Sequence, residues 1–279
     1  MTAEQEARLV RRFGPSALGW YRELPGLVAE LAGRWGVRVL DARGGGTAVV
    51  YRCERESDAA AVWLKLTPDP LIARQEAAAL RAWTAVPSVV GLLADEPAVG
   101  ALLLAGVEPG TALRGRSWRP AEAGRLLTEL RTPVELPSGL PRLAERTGLI
   151  FDLARRRDVP VPEHCRRAAR ELAGTGPVGL VHGDLHTANV LVGGPGLVAI
   201  DPRPCLGDPD FDLVDWAFDG VADPAGLTGR IEELTLLVPG SDGERLLAWC
   251  RALAPLLLAP DRDDPLARHL GLGGGRCSD

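Results

Sequence analysis

Val181-His182-Gly183-Asp184-Leu185-His186-Thr187-Ala188-Asn189-Val190-Leu191 is the densest polar run in the chain, set between apolar residues on both sides. It reads as a loop launched from one buried strand (178–181) and received by another (190–192). Asp184 and Asn189 stand in the pattern H-x-D-L-x-x-x-N. That spacing suits phosphoryl transfer: a carboxylate accepts or aims a hydroxyl proton, and an amide further along the loop reaches a metal on the phosphates. A third acid is needed as the main metal ligand. Val198-Ala199-Ile200-Asp201-Pro202 supplies it at the end of the next short strand. Asn189 and Asp201 give Mg2+ a few oxygen donors and leave the rest to phosphate and water. Alone, Asp201 before a proline would read as a turn, and Asn189 as a residue satisfying loop backbone. Together, in this order, they point to chemistry.

Outward from this loop, the chain has 31 arginines and one lysine, Lys65. A lone lysine in so arginine-rich a chain suggests a task for a compact ammonium that a planar fork cannot do. Lys65 ends the apolar run Ala61–Leu66, and Glu76 in the following helix is its expected partner. Such a pair grips the phosphates of ATP. Gly45, Gly46 and Thr47, in the glycine turn between the first two strands, are candidates to lay backbone N–H groups over those phosphates. A plain hairpin turn reads almost as well. Ala105 and Val107, at the end of a later strand, are candidates to pair with the adenine edge.

Helical spacing predicts a helix over 15–35, and strands over 37–42, 47–53, 60–66, 89–93 and 99–105. A helix opens at Asp69-Pro70. After the turn at Glu108-Pro109-Gly110 the pattern is helical near 120–131, 141–157 and 163–173, and again from Asp208 to about Ala259. This order predicts an α+β, bilobal chain: an antiparallel-sheet lobe over 1–105 with a leading helix, a mostly helical lobe over 106–270, and a disordered tail over 271–279. The formal net charge of −5 argues against nucleic acid and suits a cationic small molecule. No apolar run reaches the ~18 residues of a bilayer span, and the polar start carries no signal-peptide core, so a cytoplasmic monomer or homodimer is expected. Five scattered cysteines without a C-x-x-C pair read as reduced structural thiols.

These motifs together resemble the aminoglycoside phosphotransferase family, within it the streptomycin 6-phosphotransferase and hydroxyurea phosphotransferase group. The resemblance runs from about Trp20 to Ala259. Its most specific stretches are Leu180–Leu191, Ala199–Pro204 with Gly207–Leu213, and Leu64–Pro70 with Gln75-Glu76-Ala77. It implies a protein-kinase-like fold and an ATP-dependent O-phosphotransferase. It also implies Asp184 as the catalytic aspartate, Asn189 and Asp201 as metal ligands, Lys65 with Glu76 as the nucleotide pair, and Asp212 as a brace for the loop. Two departures concern the acceptor side: alanine at position 105 where an acid is expected, and Thr187-Ala188 before Asn189.

An aminoglycoside is polycationic, so its pocket should be acidic. Asp212, Asp215, Trp216 and Asp219 share one face of a helix expected from Asp208, with Asp210 and Asp223 beside it. Asp210, Asp215, Trp216 and Asp219 are therefore the acceptor candidates, Trp216 packing on a sugar ring. The competing reading puts Trp216 in the core and leaves the acids solvated or capping. Other functions to weigh are a kinase for an amino sugar, hydroxyurea or another metabolite, a nucleotide-binding pseudokinase, and a metallohydrolase using His182, Asp184, His186 and Asp201.

Overall fold

The computed structural model describes residues 3–44, 48–194, 196–258 and 265–272. The chain forms two compact units, Met1–Thr111 with Val192–Gly194, and Ala112–Leu191 with Pro195–Asp279.

In the first unit, α1 (Ala3–Phe13) and α2 (Ala17–Trp35) lead into the sheet. Gly36 ends α2 in the left-handed region at φ 59°, donating its N–H to Ala32. The strands β1 (Val37–Gly44), β2 (Val49–Arg55), β3 (Ala61–Leu66), β4 (Leu92–Glu96) and β5 (Ala101–Ala105) make one sheet in the order β1-β2-β3-β5-β4, with every pair antiparallel. Asp69 caps α3 (Pro70–Ala82), its Oδ1 accepting from the Leu71 N–H at 2.9 Å. β6 (Pro109–Ala112) follows. The two-residue period of β3 divides its side chains. Val62, Leu64 and Leu66 enter a core with Leu24, Val28 and Leu31 of α2, while Lys65 takes the opposite face. The strand expected over 89–93 begins instead at Leu92. Val89 and Val90 are buried before it, Val89 in an isolated bridge and not in the strand, so apolar character there marks burial more than a continuous ladder. Val99 lies in a single 3₁₀ turn opened by Pro97.

The second unit holds α4 (Pro120–Leu130), α5 (Leu143–Arg155), α6 (Glu163–Thr175), β7 (Gly179–Val181), the first half of β8 (Val190–Gly193), β9 (Gly196–Ala199), β10 (Cys205–Gly207), α7 (Val214–Phe218), α8 (Pro224–Leu237), α9 (Gly243–Leu257) and α10 (Pro265–His269). β10 pairs antiparallel with β7, Cys205 opposite Val181 and Gly207 opposite Gly179. It is too short, and too closely flanked by proline and glycine, to be read from sequence. The start of α5 is fastened to β10. The Leu206 N–H donates to the Pro141 carbonyl at 2.9 Å, and a Cβ on Gly207 would lie 2.4 Å from that of Leu143. The helix expected from Asp208 is a 3₁₀ turn over Pro209–Leu213, and α7 begins only at Val214. Among the described residues no helix is long and apolar enough to cross a membrane. The Gly45-Gly46-Thr47 turn and most of the tail expected over 271–279 lie outside the described residues.

Gly207→Ala should therefore destabilise the protein by about 1–3 kcal/mol, because the new methyl overpacks the β10–α5 contact. Urea denaturation reads this as a lowered midpoint. An unchanged midpoint would mean that the contact yields without cost.

Candidate active site

Lys65 and Glu76 form the polar centre of the first unit. Lys65 Nζ donates to both carboxylate oxygens of Glu76 at 2.6 Å, and the two residues are 5% and 0% exposed. The strand period sends Lys65 to the α3 face, and Asp69-Pro70 sets the phase of α3 that brings Glu76 beneath it. Burying two charges is costly unless they meet well, and here the contact is bidentate. The Ala105 N–H is spent on the Gly91 carbonyl at 2.8 Å, so that donor of the expected adenine pair is taken. The Val107 backbone makes no hydrogen bond among the described residues, so its N–H and carbonyl remain available.

In the second unit, β7 delivers the chain into the 182–189 loop. Both oxygens of the Asp212 carboxylate are engaged there, accepting from the His182 N–H at 2.7 Å and the Gly183 N–H at 2.9 Å. Gly183 has φ 75°, and any Cβ would lie 2.2 Å from the Arg203 carbonyl oxygen, so only glycine fits. His182 is fully buried. Its Nε2 meets the Ile200 carbonyl at 3.1 Å, and its Nδ1 accepts from the Asp184 N–H at 3.4 Å. Burial pushes its pKa down to about 4, against the opposite pull of Asp184, the Ile200 carbonyl and Asp201. With both ring nitrogens committed it is a spacer and not a metal ligand. Among the described residues no three His, Cys, Asp or Glu side chains group as a metal site. The metallohydrolase reading loses its ligands.

Asn189 donates from Nδ2 to the Asp184 carbonyl at 2.8 Å and to Asp184 Oδ2 at 3.2 Å. Its amide oxygen thereby faces away from the carboxylate. The Asn189 carbonyl accepts from the Ile200 N–H at 2.9 Å, which sets Asp201 directly beside the loop. Asp201 adopts the left-handed conformation at φ 55°, a rare state for a residue with a side chain and one that often marks a functional position. Arg203 lies 3.8 Å from Asp201 Oδ1. The structure thus bonds Asn189 to Asp184 and lays the Asp201 backbone beside that of Asn189.

The acidic face separates on inspection. Asp210 is 3% exposed, bound to Arg131 at 2.6 Å and to the Asp242 N–H at 3.2 Å, so it is a strut and no acceptor ligand. Trp216 is 0% exposed and packs edge-on against Trp118 with ring centres 5.0 Å apart; it cannot stack on a substrate. Asp219 accepts from Trp118 Nε1 at 2.5 Å, and Arg230 lies over the Trp118 ring at 4.5 Å. Asp208 is fully buried under Arg245 and Trp249 Nε1, the latter at 2.7 Å. Asp215 is different. It is half-buried, and its carboxylate takes no hydrogen bond among the described residues. Burial raises its pKa to about 6, with His186 pulling it back and Asp184 and Asp219 adding to the rise.

The model for the aminoglycoside/hydroxyurea antibiotic resistance kinases matches residues 34–264. The chain belongs to that family. It is a small-molecule kinase and a transferase of the antibiotic-resistance class. A hydroxyurea phosphotransferase of Kitasatospora aureofaciens is 38% identical over 85% of this chain and 73% of its own length. A streptomycin 6-kinase of Streptomyces glaucescens is 30% identical over 87% of this chain and 84% of its own. Among solved structures, the choline kinase LicA of Streptococcus pneumoniae superposes with a TM-score of 0.63 at 15% identity, over 84% of this chain and 88% of its own. The aminoglycoside phosphotransferase APH(4)-Ia, solved with ADP and hygromycin B, gives 0.53 at 14%, over 88% and 95%. These likenesses bear out the bilobal α+β kinase-like fold.

Asp212 supplies a pH test within this family kinase. Burial lifts its pKa to about 7, although the Gly183 and His182 N–H groups and Arg131 pull it down. A carboxyl raised in the folded state contributes stability that is full below its ordinary value near 3.8 and is lost as pH rises through about 7. His182, lowered to about 4, works the other way, its contribution being lost as pH falls below 6.5. In Asp212→Asn the opposing slope of Asp212 is gone, while the other raised carboxyls are unchanged. Unfolding free energy should then climb more steeply between pH 4 and 6.5 than in wild type. Equal slopes in denaturant titrations would show that Asp212 keeps its ordinary proton affinity in the fold.

Proposed function

We propose that this kinase moves the γ-phosphate of ATP to a hydroxyl of a small molecule. Asp184 aims the acceptor hydroxyl and takes its proton, and Lys65, held by Glu76, grips the nucleotide phosphates. Val107 offers backbone groups to the adenine. The observation that carries the reading is the Asn189 amide: its nitrogen is spent on Asp184, which leaves its oxygen for a metal, with Asp201 set beside it by the Ile200–Asn189 bond. Two oxygen donors from the protein, with further positions left to phosphate and water, fit Mg2+. Asn189 and Asp201 would hold such an ion, which would supply neutralisation of charge on the phosphates. The chain's own part is positional. A loose phosphoryl-transfer transition state asks little covalent work of the protein, so holding Asp184 at a fixed angle matters more than its strength as a base. The intact set of Lys65, Asp184, Asn189 and Asp201 supports turnover over a pseudokinase role.

The acceptor follows from which acids are free. Asp208, Asp210 and Asp212 are buried and bonded, Asp219 is taken by Trp118, and Asp223 caps α8 through the Gly226 N–H. Of the acidic run, Asp215 alone has a carboxylate without a hydrogen bond among the described residues, within electrostatic reach of Asp184 and His186. One carboxylate serves one N–H-bearing head group and not a polycation. This favours a compact acceptor of the hydroxyurea type over an aminoglycoside such as streptomycin.

ADP release from ATP and magnesium, with hydroxyurea and streptomycin as paired acceptors, tests both parts. Hydroxyurea should stimulate release more strongly, and Asp184→Asn should cut turnover by roughly 10²–10⁴-fold with ATP affinity nearly intact. Stimulation by streptomycin alone would overturn the acceptor assignment. Wild-type turnover in Asp184→Asn would overturn the role of Asp184.

A further inference from the structure

We propose that Arg146, a residue no sequence motif singles out, is the positioning residue for Asp184. The proposal rests on the reading of Asp184 as the group that aims the acceptor hydroxyl. Arg146 lies on the first turn of α5, and its side chain is only 10% exposed. Its Nε and one terminal nitrogen both donate to the Gly183 carbonyl, at 3.1 and 2.9 Å, and that same terminal nitrogen reaches Asp184 Oδ1 at 3.3 Å. Asn189 holds Oδ2. The carboxylate is thus fixed through one oxygen by Arg146 and through the other by Asn189, with the preceding peptide clamped in the same fork.

The placement is built in. Gly207 admits the Leu143 side chain against β10, β10 is paired to β7, and β7 launches the loop. One helical turn on from this anchor, Arg146 meets the Gly183 carbonyl. Gly183 can turn that way because it alone tolerates the φ of 75° and the approach of the Arg203 carbonyl. Burial works against the guanidinium charge, and Asp184 is the foremost group favouring it. A brace for the peptide alone would need no cation there. The reach to the carboxylate of Asp184 is what gives the buried charge a use.

The test compares Arg146→Ala and Arg146→Lys with wild type. The readout is ADP release with whichever of hydroxyurea and streptomycin turns over, or slow hydrolysis of ATP where neither does. The kcat of Arg146→Ala should fall about 10²-fold, the scale of a small misplacement of a reacting group. Arg146→Lys should lose at least about tenfold, since a lysine has no counterpart to the Nε contact and no rigid plane to fix the angle between the two acceptors. KM for ATP should stay within about twofold in each. Millimolar guanidinium should restore part of the Arg146→Ala turnover and do nothing for Asp184→Asn. Wild-type kcat in either variant, a loss confined to KM, or failure of guanidinium to rescue a folded Arg146→Ala protein would overturn the proposal. If Arg146→Ala does not fold, the kcat of Arg146→Lys decides. Wild-type turnover in Asp184→Asn would instead sink the reading beneath it, so the two failures are told apart.

Discussion

Two backbone N–H groups, those of His182 and Gly183, share the buried carboxylate of Asp212, and the path of the loop that carries Asp184 depends on that grip. Without an acceptor behind them, consecutive buried amides in a loop would each carry a desolvation penalty, and the chain would find another path. With it, the loop turns once at Gly183 and carries Asp184 outward. Asp208 and Asp210 do related work nearby, one under Arg245 and Trp249, the other under Arg131. The acidic stretch after β10 is therefore a frame of satisfied buried charges. What looks in sequence like a surface for cations is mostly scaffolding for the loop.

The same rule governs the other unit. Lys65 and Glu76 are both removed from water and answer each other with two short contacts. Losing either partner would leave the other charge buried without its bidentate contact. An ammonium on a flexible stem can keep its carboxylate and still turn toward phosphate oxygens, whereas a guanidinium would commit its plane to the carboxylate.

The sequence made legible the stretches that the fold then sets side by side, Asp184 with Asn189 and Lys65 with Glu76. The Asp184–Asn189 pair and Asp201 were legible because two apolar strands frame them. Lys65 was legible because it has no rival in composition, and α3 because Asp69-Pro70 is a strong start. The acidic face was misread for a geometric reason: the chain after Asp208 winds as a 3₁₀ turn through Leu213, so the α-helical phase that seemed to align Asp212 with Asp219 never exists there. Trp216 then points inward against Trp118. Arg146 could not be found at all among 31 arginines, since only the pairing of β10 with β7 shows that α5 begins beside the loop. At Ala105 the strand was visible, but not the Gly91 carbonyl that occupies its N–H.

Asn189 and Asp201 are proposed to hold one divalent ion on a nucleotide's phosphates. Electron paramagnetic resonance of Mn2+, titrated into the protein with and without ATP, reads this directly. Tight Mn2+ binding that needs ATP in the wild type, and is lost in Asp201→Asn, is the expected result. Mn2+ bound equally well by Asp201→Asn would contradict the account.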